Sequence, residues 1–130
     1  MLVIDASVAV QICITRVSFS TLADTDLVAP PLLWSESRSA LQELAWRGEI
    51  SHEARDLGLV HLARASVREV RRAALGPEAT RIADELGWAR TYDAEYCALA
   101  RLLGCRLVTL DGRLRRGAES LGFVVTPAEL

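Results

Sequence analysis

The chain contains no lysine, because all 15 of its basic residues are arginines. This absence excludes several classes of enzyme whose chemistry needs a lysine amine on a phosphate or a carbonyl group. They are the Walker-type P-loop nucleotidases, the Schiff-base enzymes, and the receiver and haloacid-dehalogenase sites of the usual kind. Any catalytic site in this protein must be built from other side chains.

Cysteine is scarce and its pattern is uninformative for redox or zinc chemistry. Cys13, Cys97 and Cys105 are odd in number, lack the CxxC spacing and lie in apolar surroundings. These features predict buried free thiols rather than disulfides or a zinc site.

Long apolar runs are also missing. The longest are under ten residues, too short to cross a bilayer, so a membrane role is not expected. The first residues, MLVIDASV, have no basic region and contain an acidic residue, which predicts a first strand rather than a signal peptide. We therefore expect a cytoplasmic protein.

The composition is that of a compact domain, with 51% hydrophobic and 25% charged residues. At 130 residues the chain predicts a single domain over 1–130. A net charge of −2 argues against a uniformly basic nucleic-acid binder. Local arginine clusters remain, at Arg71 and Arg72 and at Arg113, Arg115 and Arg116, although a solvated helix face explains each cluster equally well.

Short apolar runs alternate with amphipathic segments along the chain. The runs predict strands at 2–4, 27–29, 67–70, 106–110 and 123–125. The helical periods predict helices over 8–14, 32–47, 51–62, 76–87, 92–103 and 114–121, with a short helix or turn over 18–25. This alternation predicts a three-layer α/β/α sandwich around a mostly parallel sheet, with a ligand crevice at the carboxyl ends of the strands.

Four acidic residues interrupt apolar segments of this pattern: Asp5, Glu36, Asp93 and Asp111. A carboxylate in an apolar setting costs several kcal/mol unless its pKa shifts or a partner offsets its charge. Four such residues, called here the four acids, therefore indicate a shared counter-ion, and a divalent metal is the obvious one. Each acid taken singly also has an ordinary explanation, as a helix N-cap, as a charge at a helix dipole, or as a solvent-facing side chain.

Metal-assisted phosphoryl transfer is the chemistry that needs such a cluster. Hard oxygen ligands suit Mg²⁺ or Mn²⁺, and the cation reduces the repulsion among the carboxylates. A bound metal lowers the pKa of a water molecule and stabilises charge on the departing oxygen. No histidine is required, and His52 and His61, in a predicted surface helix, are interpreted as incidental.

The local sequences around the four acids resemble a PIN-domain ribonuclease of the VapC toxin type. The resemblance is carried by Val-Ile-Asp-Ala-Ser at 3–7, by Glu36 on the helix after Ala29-Pro30, by Thr-Tyr-Asp-Ala-Glu-Tyr-Cys-Ala-Leu-Ala at 91–100, and by Leu-Val-Thr-Leu-Asp at 107–111. It covers essentially the whole chain.

The resemblance implies an endoribonuclease in which the four acids hold one or two Mg²⁺ or Mn²⁺ ions. It also implies that Ser7 and Thr109 supply hydroxyls that orient water or a carboxylate. Members of this family are usually dimers and are neutralised by an antitoxin whose C-terminal segment wraps the toxin. Arg113, Arg115 and Arg116 follow the last acid and are our candidates for RNA phosphate contact.

Three tryptophans, Trp34, Trp46 and Trp88, could stack on unpaired bases. Large apolar residues at helical spacing are more often core or subunit interface, so Trp34 and Trp46 are predicted to contact a dimer partner or an antitoxin.

Two other functions stay open at this point. One is a non-catalytic PIN-like module that binds RNA or a protein, and the other is a phosphatase or DNA nuclease that uses the same metal chemistry.

Overall fold

A computed structural model describes residues 1–15, 22 and 24–130 of the chain. Within these residues, five short strands form one sheet of order β3-β2-β1-β4-β5, and all four pairings in it are parallel. The strands are β1 (Leu2–Ile4), β2 (Leu27–Ala29), β3 (Val67–Glu69), β4 (Arg106–Val108) and β5 (Val124–Val125). The predicted α/β class with a mostly parallel sheet is confirmed.

Six α-helices lie in the same described part of the chain. They are α1 (Ala6–Thr15), α2 (Leu32–Trp46), α3 (His52–Ala63), α4 (Leu75–Leu86), α5 (Tyr92–Leu103) and α6 (Gly112–Gly117), followed by 3₁₀ turns at Glu119–Leu121 and Pro127–Glu129. Of the helix or turn predicted over 18–25, residues 18–21 and 23 lie outside the described residues. None of the described helices combines the length and apolar character needed to cross a membrane.

Several helix ends have the local chemistry that the sequence predicts. The Ser51 hydroxyl accepts a hydrogen bond from the Ala54 N–H at 3.0 Å and caps α3. Gly87 and Gly104 end α4 and α5 with φ values of 69° and 64°, a left-handed conformation that favours glycine.

The helices form two layers. Helices α1, α2 and α3 pack against one another, whereas α4 packs against α5, and α5 also contacts β1 and β4. Right-handed crossovers place the connections from β1 to β3 on one face of the sheet and those from β3 to β5 on the other, because the chain moves in opposite directions along the sheet. The result is the predicted three-layer sandwich.

The core lies on both faces of the sheet. Val3, Ile4, Val28, Leu107 and Val108 in the central strands are fully buried. Most of α5 is buried as well, as its nearly continuous apolar sequence predicts. The three cysteines are free thiols, two of them buried and Cys105 half-buried.

The strand order reverses direction between β1 and β4, which lie side by side at the centre of the sheet. In open parallel sheets, a crevice forms outside the carboxyl ends of the two strands at such a point. Asp5 follows β1 directly, and Thr109 follows β4. The fold therefore brings two segments, more than a hundred residues apart in sequence, to one edge of the sheet.

Candidate functional site

Asp5 is the most deeply buried of the four acids, with 4% of its surface exposed. Its carboxylate accepts hydrogen bonds from the Ser7 hydroxyl at 2.5 Å, the Thr109 hydroxyl at 2.5 Å and the Val8 N–H at 3.2 Å. Burial raises the pKa of Asp5, the three hydrogen bonds lower it, and the charge of Asp93 raises it further. Asp5 thus caps α1, and burial makes the ionised form of its carboxylate unfavourable.

The two hydroxyl groups are fixed by backbone donors behind them. The Ser7 oxygen accepts a hydrogen bond from the Leu110 N–H at 2.9 Å, and the Thr109 oxygen accepts one from the Asp111 N–H at 3.0 Å. Each hydroxyl proton is therefore directed at Asp5, which orients the carboxylate. Ser7 and Thr109 thus both donate to Asp5, and their role in catalysis stays a prediction.

Glu36 lies on the inner side of α2 and is half-buried. The hydroxyl of Tyr96, a residue of α5 that is 1% exposed, donates to Glu36 Oε1 at 3.2 Å. Burial raises the pKa of Glu36, the Tyr96 bond lowers it, and the charges of Asp93 and Asp5 raise it again. Burial, followed by the Glu36 charge, also raises the pKa of Tyr96 well above its ordinary value, so the phenol keeps its proton as a donor.

Asp93 and Asp111 complete the acidic group from the starts of two helices. Desolvation of the carboxylate by the surrounding protein raises the pKa of Asp93, and so does the negative charge of Asp111, whereas the positive charge of Arg113 lowers it. Asp111 caps α6 by accepting from the Arg113 N–H at 2.9 Å and the Leu114 N–H at 3.4 Å. The Arg113 Nε atom stands 4.0 Å from the Asp111 carboxylate, a loose contact for an ion pair.

Three of the four acids line one open cleft of about 580 Å³: Glu36, Asp93 and Asp111. This volume is within the range of about 300–1,000 Å³ that is typical of ligand pockets. Asp5 does not line the cleft, but the Thr109 hydroxyl that donates to it also accepts from the backbone N–H of the lining residue Asp111. The structure therefore brings three of the four predicted acids to a single opening and joins the buried Asp5 to it through Thr109.

The donor set of this cleft suits a hard divalent cation, because its ligands are carboxylate oxygens whose charges repel one another. Among the described residues, however, no three histidine, cysteine, aspartate or glutamate side chains stand grouped as a ready metal site. The chemistry of the residues thus fits a metal ion, whereas their grouping in this structure does not form a closed coordination shell.

The rest of the cleft wall comes from the connection between α4 and α5 and from α6. The lining residues beyond the acids are Gly87, Trp88, Ala89, Arg90, Tyr92, Arg113 and Leu114. Sequence reasoning missed Arg90 and Tyr92 as cleft residues. Tyr92 precedes Asp93, which is a signal of nearness, but no spacing rule marks Arg90.

The arginines predicted to contact RNA phosphates have different surroundings. Arg113 lines the cleft, and its side chain is 89% exposed. Arg115 instead donates to both carboxylate oxygens of Glu129, at 2.9 and 2.7 Å, and Arg116 is not a lining residue. Their predicted role in RNA contact stays a prediction, best supported by position for Arg113.

The tryptophans also differ. Trp34 is half-buried against the core, and its indole N–H donates to Glu69 Oε2 at 2.8 Å. Trp88 is packed against the core, and a Cβ atom at Gly117 of α6 would stand 3.5 Å from its indole ring. Trp46 is 80% exposed and remains the tryptophan available to a partner.

The model of the PIN domain family matches residues 2–120, so the chain belongs to the PIN domain family. This agrees with the resemblance found in the sequence. PIN domains are generally nucleases.

Two solved structures share the fold. One is PAE2754 from Pyrobaculum aerophilum, with a TM-score of 0.76, 23% identity, and coverage of 98% of this chain and 84% of that one. The other is VapC20 from Mycobacterium tuberculosis, described as a sarcin–ricin loop cleaving toxin, with a TM-score of 0.58, 16% identity, and coverage of 95% and 97%. At these identities the likeness shows the fold alone. No curated protein matches the chain.

Proposed function

We propose that the protein is a metal-dependent endoribonuclease and the toxin of a type II toxin–antitoxin pair. The observation that carries the proposal is the set of three carboxylates lining one cleft beside the buried Asp5. The charge of Asp93 raises the pKa of Glu36, and the charge of Asp111 raises the pKa of Asp93. The Arg113 guanidinium, 4.0 Å from Asp111, is a weak counter-ion for this group. A divalent cation would offset this repulsion far better than one exposed arginine.

Each of the four acids has a definite part in this proposal. All four would hold Mg²⁺ or Mn²⁺, which supplies an acidified water and charge stabilisation on the departing oxygen. Ser7 and Thr109 hold the Asp5 carboxylate through their hydroxyl protons, and Tyr96 holds Glu36. Arg113 would pair with a phosphate at the mouth of the cleft. The products would be a 5′-phosphate and a 3′-hydroxyl.

RNA is the proposed substrate because of family membership and because the fold is that of VapC20, whose description gives it an RNA target. An antitoxin and a second copy of the chain are proposed as partners on the same grounds. Trp46, exposed at the end of α2, is a candidate contact for either partner. The proposed location is the cytoplasm, where such a toxin meets RNA.

A cleavage assay with metal titration tests this function. Cleavage of single-stranded RNA is expected with Mn²⁺ and is expected to stop with a chelator. Asp5→Asn should lower the rate by about 100-fold or more, since even groups behind metal ligands contribute 10–100-fold. Asp84→Asn makes the same chemical change at an exposed site on α4 outside the cleft and should leave the rate unchanged. Equal rates for wild type and Asp5→Asn would point to a contaminating nuclease.

A second function is favoured by one observation, the absence of a ready group of three metal ligands in the described part of the chain. A non-catalytic PIN-like module that binds RNA or a protein would need no such group. Binding of RNA without cleavage at any Mn²⁺ or Mg²⁺ concentration would support this reading. Cleavage of DNA or of phosphate monoesters in preference to RNA would instead support a DNA nuclease or a phosphatase that uses the same metal chemistry.

A further inference from the structure

One wall of the cleft carries an exposed aromatic ring and an arginine side by side with the acids. Tyr92, the first residue of α5, is 58% exposed, and Arg90 lies two residues earlier in the connection from α4. Both line the same cleft as Glu36, Asp93 and Asp111.

Neither side chain serves the fold in an evident way. Within the described residues, the Tyr92 hydroxyl makes no hydrogen bond and Arg90 makes no ion pair. Arg113, the other arginine that lines the cleft, has a loose contact with Asp111 at 4.0 Å, whereas Arg115 and Arg101, outside the cleft, are held by glutamates. An exposed tyrosine contributes little burial, so its stability role is small.

The wall that presents them is firmly held. Arg101 on α5 donates to Glu78 at 2.9 Å and to Glu85 at 2.8 Å, both on α4, which ties the two helices together. Trp88, in the connection between them, packs against the core. The backbone that carries the ring and the arginine therefore loses little conformational freedom when a ligand binds.

We propose that Tyr92 and Arg90 bind one nucleotide of a single-stranded RNA, with the tyrosine ring stacked on its base and the guanidinium paired with its phosphate. This inference rests on the proposed ribonuclease function and adds a substrate preference to it. A base can lie on the ring only when it is unpaired and unstacked, so the cleft selects single strands. Asp93 follows Tyr92 directly in the chain, so the bound nucleotide lies next to the carboxylates.

Fluorescence of short single-stranded RNAs with 2-aminopurine placed at successive positions tests the stacking. Binding is recorded by stopped flow in Mn²⁺, so that it is seen before cleavage. One position should be quenched on binding to wild type and to Tyr92→Phe, because both rings stack. Tyr92→Ala should lose the quenching and bind at least about fivefold more weakly. Leu57→Ala removes an exposed apolar side chain on α3, outside the cleft, and should behave as wild type.

The salt dependence of binding tests the arginine. Arg90→Ala should reduce the slope of log K against log salt by about 0.7 for a single strand. Arg64→Ala removes one charge at an exposed position beyond α3 and should leave the slope unchanged. A slope that falls equally in both variants would overturn the assignment of Arg90.

The outcomes separate this inference from the proposed function. Undiminished quenching and affinity in Tyr92→Ala, or an equal loss in Tyr92→Phe, would overturn the stacking while RNA cleavage by wild type leaves the proposed function standing. A wild-type protein that neither binds nor cleaves RNA would overturn both.

Discussion

At the scale of single residues, the environment of Asp5 decides how the site is held. A buried carboxylate needs donors, and Asp5 receives two hydroxyl protons whose oxygens are themselves held by backbone N–H groups of 110 and 111. The arrangement reaches from the end of β1 to the end of β4. A change in one hydroxyl should therefore alter both the stability of the fold and the orientation of the acid.

Thr109→Val tests this link, because it keeps the shape of the side chain and removes the donor. The loss leaves a buried carboxylate oxygen without its partner, so the free energy of unfolding should fall by about 1–3 kcal/mol. The rate of RNA cleavage should fall about 10–100-fold. Thr109→Ser keeps the hydroxyl but removes a buried methyl group, so it should lose only about 1 kcal/mol in urea unfolding and keep the cleavage rate of wild type. Equal behaviour of the valine and serine variants would show that the hydroxyl has no such role.

At the scale of elements, the C-terminal 3₁₀ turn holds α6, whose first residue follows Asp111. Glu129 accepts both Arg115 contacts and also the Thr126 N–H at 2.7 Å, which closes a capping box. The Arg115 guanidinium, with these bonds from Thr126, lowers the pKa of Glu129 to about 2. The charged form of the Glu129 carboxylate therefore stabilises the folded chain more than the protonated form does.

Glu129→Gln should lower the melting temperature slightly near neutral pH. Because the folded pKa of Glu129 lies below the unfolded value, its stabilisation is present above about pH 4.5 and is lost as the pH falls toward 2. The difference in melting temperature between wild type and variant should therefore shrink across that interval. A difference that stays constant from pH 7 to pH 2 would contradict the assignment. Calorimetry at a series of pH values measures it.

Sequence patterns predict that these elements exist better than they predict where they end. The strand predicted to run to 110 ends at Val108, because the N–H of Leu110 turns to the Ser7 hydroxyl rather than to β5. The helical period over 114–121 divides into α6 and a 3₁₀ turn, since Ala118 interrupts the helix. Such ends depend on contacts between segments far apart in sequence, which periodicity does not report.

The same limit applies to the site. The four acids could be found because each breaks an apolar pattern, and burial is a property that the sequence carries. The positions of Arg90 and Tyr92 follow instead from how α4 and α5 meet, and the engagement of Arg115 follows from the path of the last residues. The packing of the helices and of the C-terminal residues determines these positions and contacts. Such packing cannot be read directly from a single sequence.

At the scale of the whole molecule, desolvation and mutual repulsion of the acids lower the stability of the folded state. A bound cation would offset this loss. The pKa of Asp93 is raised, so its ionisation near neutral pH opposes folding, and this cost disappears as the pH falls below its ordinary value of 3.8. The metal-free protein should therefore be less stable at neutral pH than a variant without the charge at position 93.

Asp93→Asn should raise the free energy of unfolding of the metal-free protein at pH 7 by no more than about 1 kcal/mol, because the residue is exposed. Wild type should gain about 2.7 kcal/mol at a Mn²⁺ concentration 100 times the dissociation constant, and the variant should gain much less. Thermal melts with and without Mn²⁺ measure both effects. An equal gain in wild type and variant would place the ion elsewhere.

The position of β1 between β2 and β4 has a consequence for synthesis of the chain. Leu2 pairs with Arg106, and Asp5 accepts from Thr109, so β1 takes its final place only after a segment about a hundred residues further along the chain has been made. A nascent polypeptide still lacking residue 109 has no oriented Asp5 and no closed centre to its sheet. Truncation of the chain before residue 106 should therefore remove both the central strand pair and the hydroxyl that orients this carboxylate.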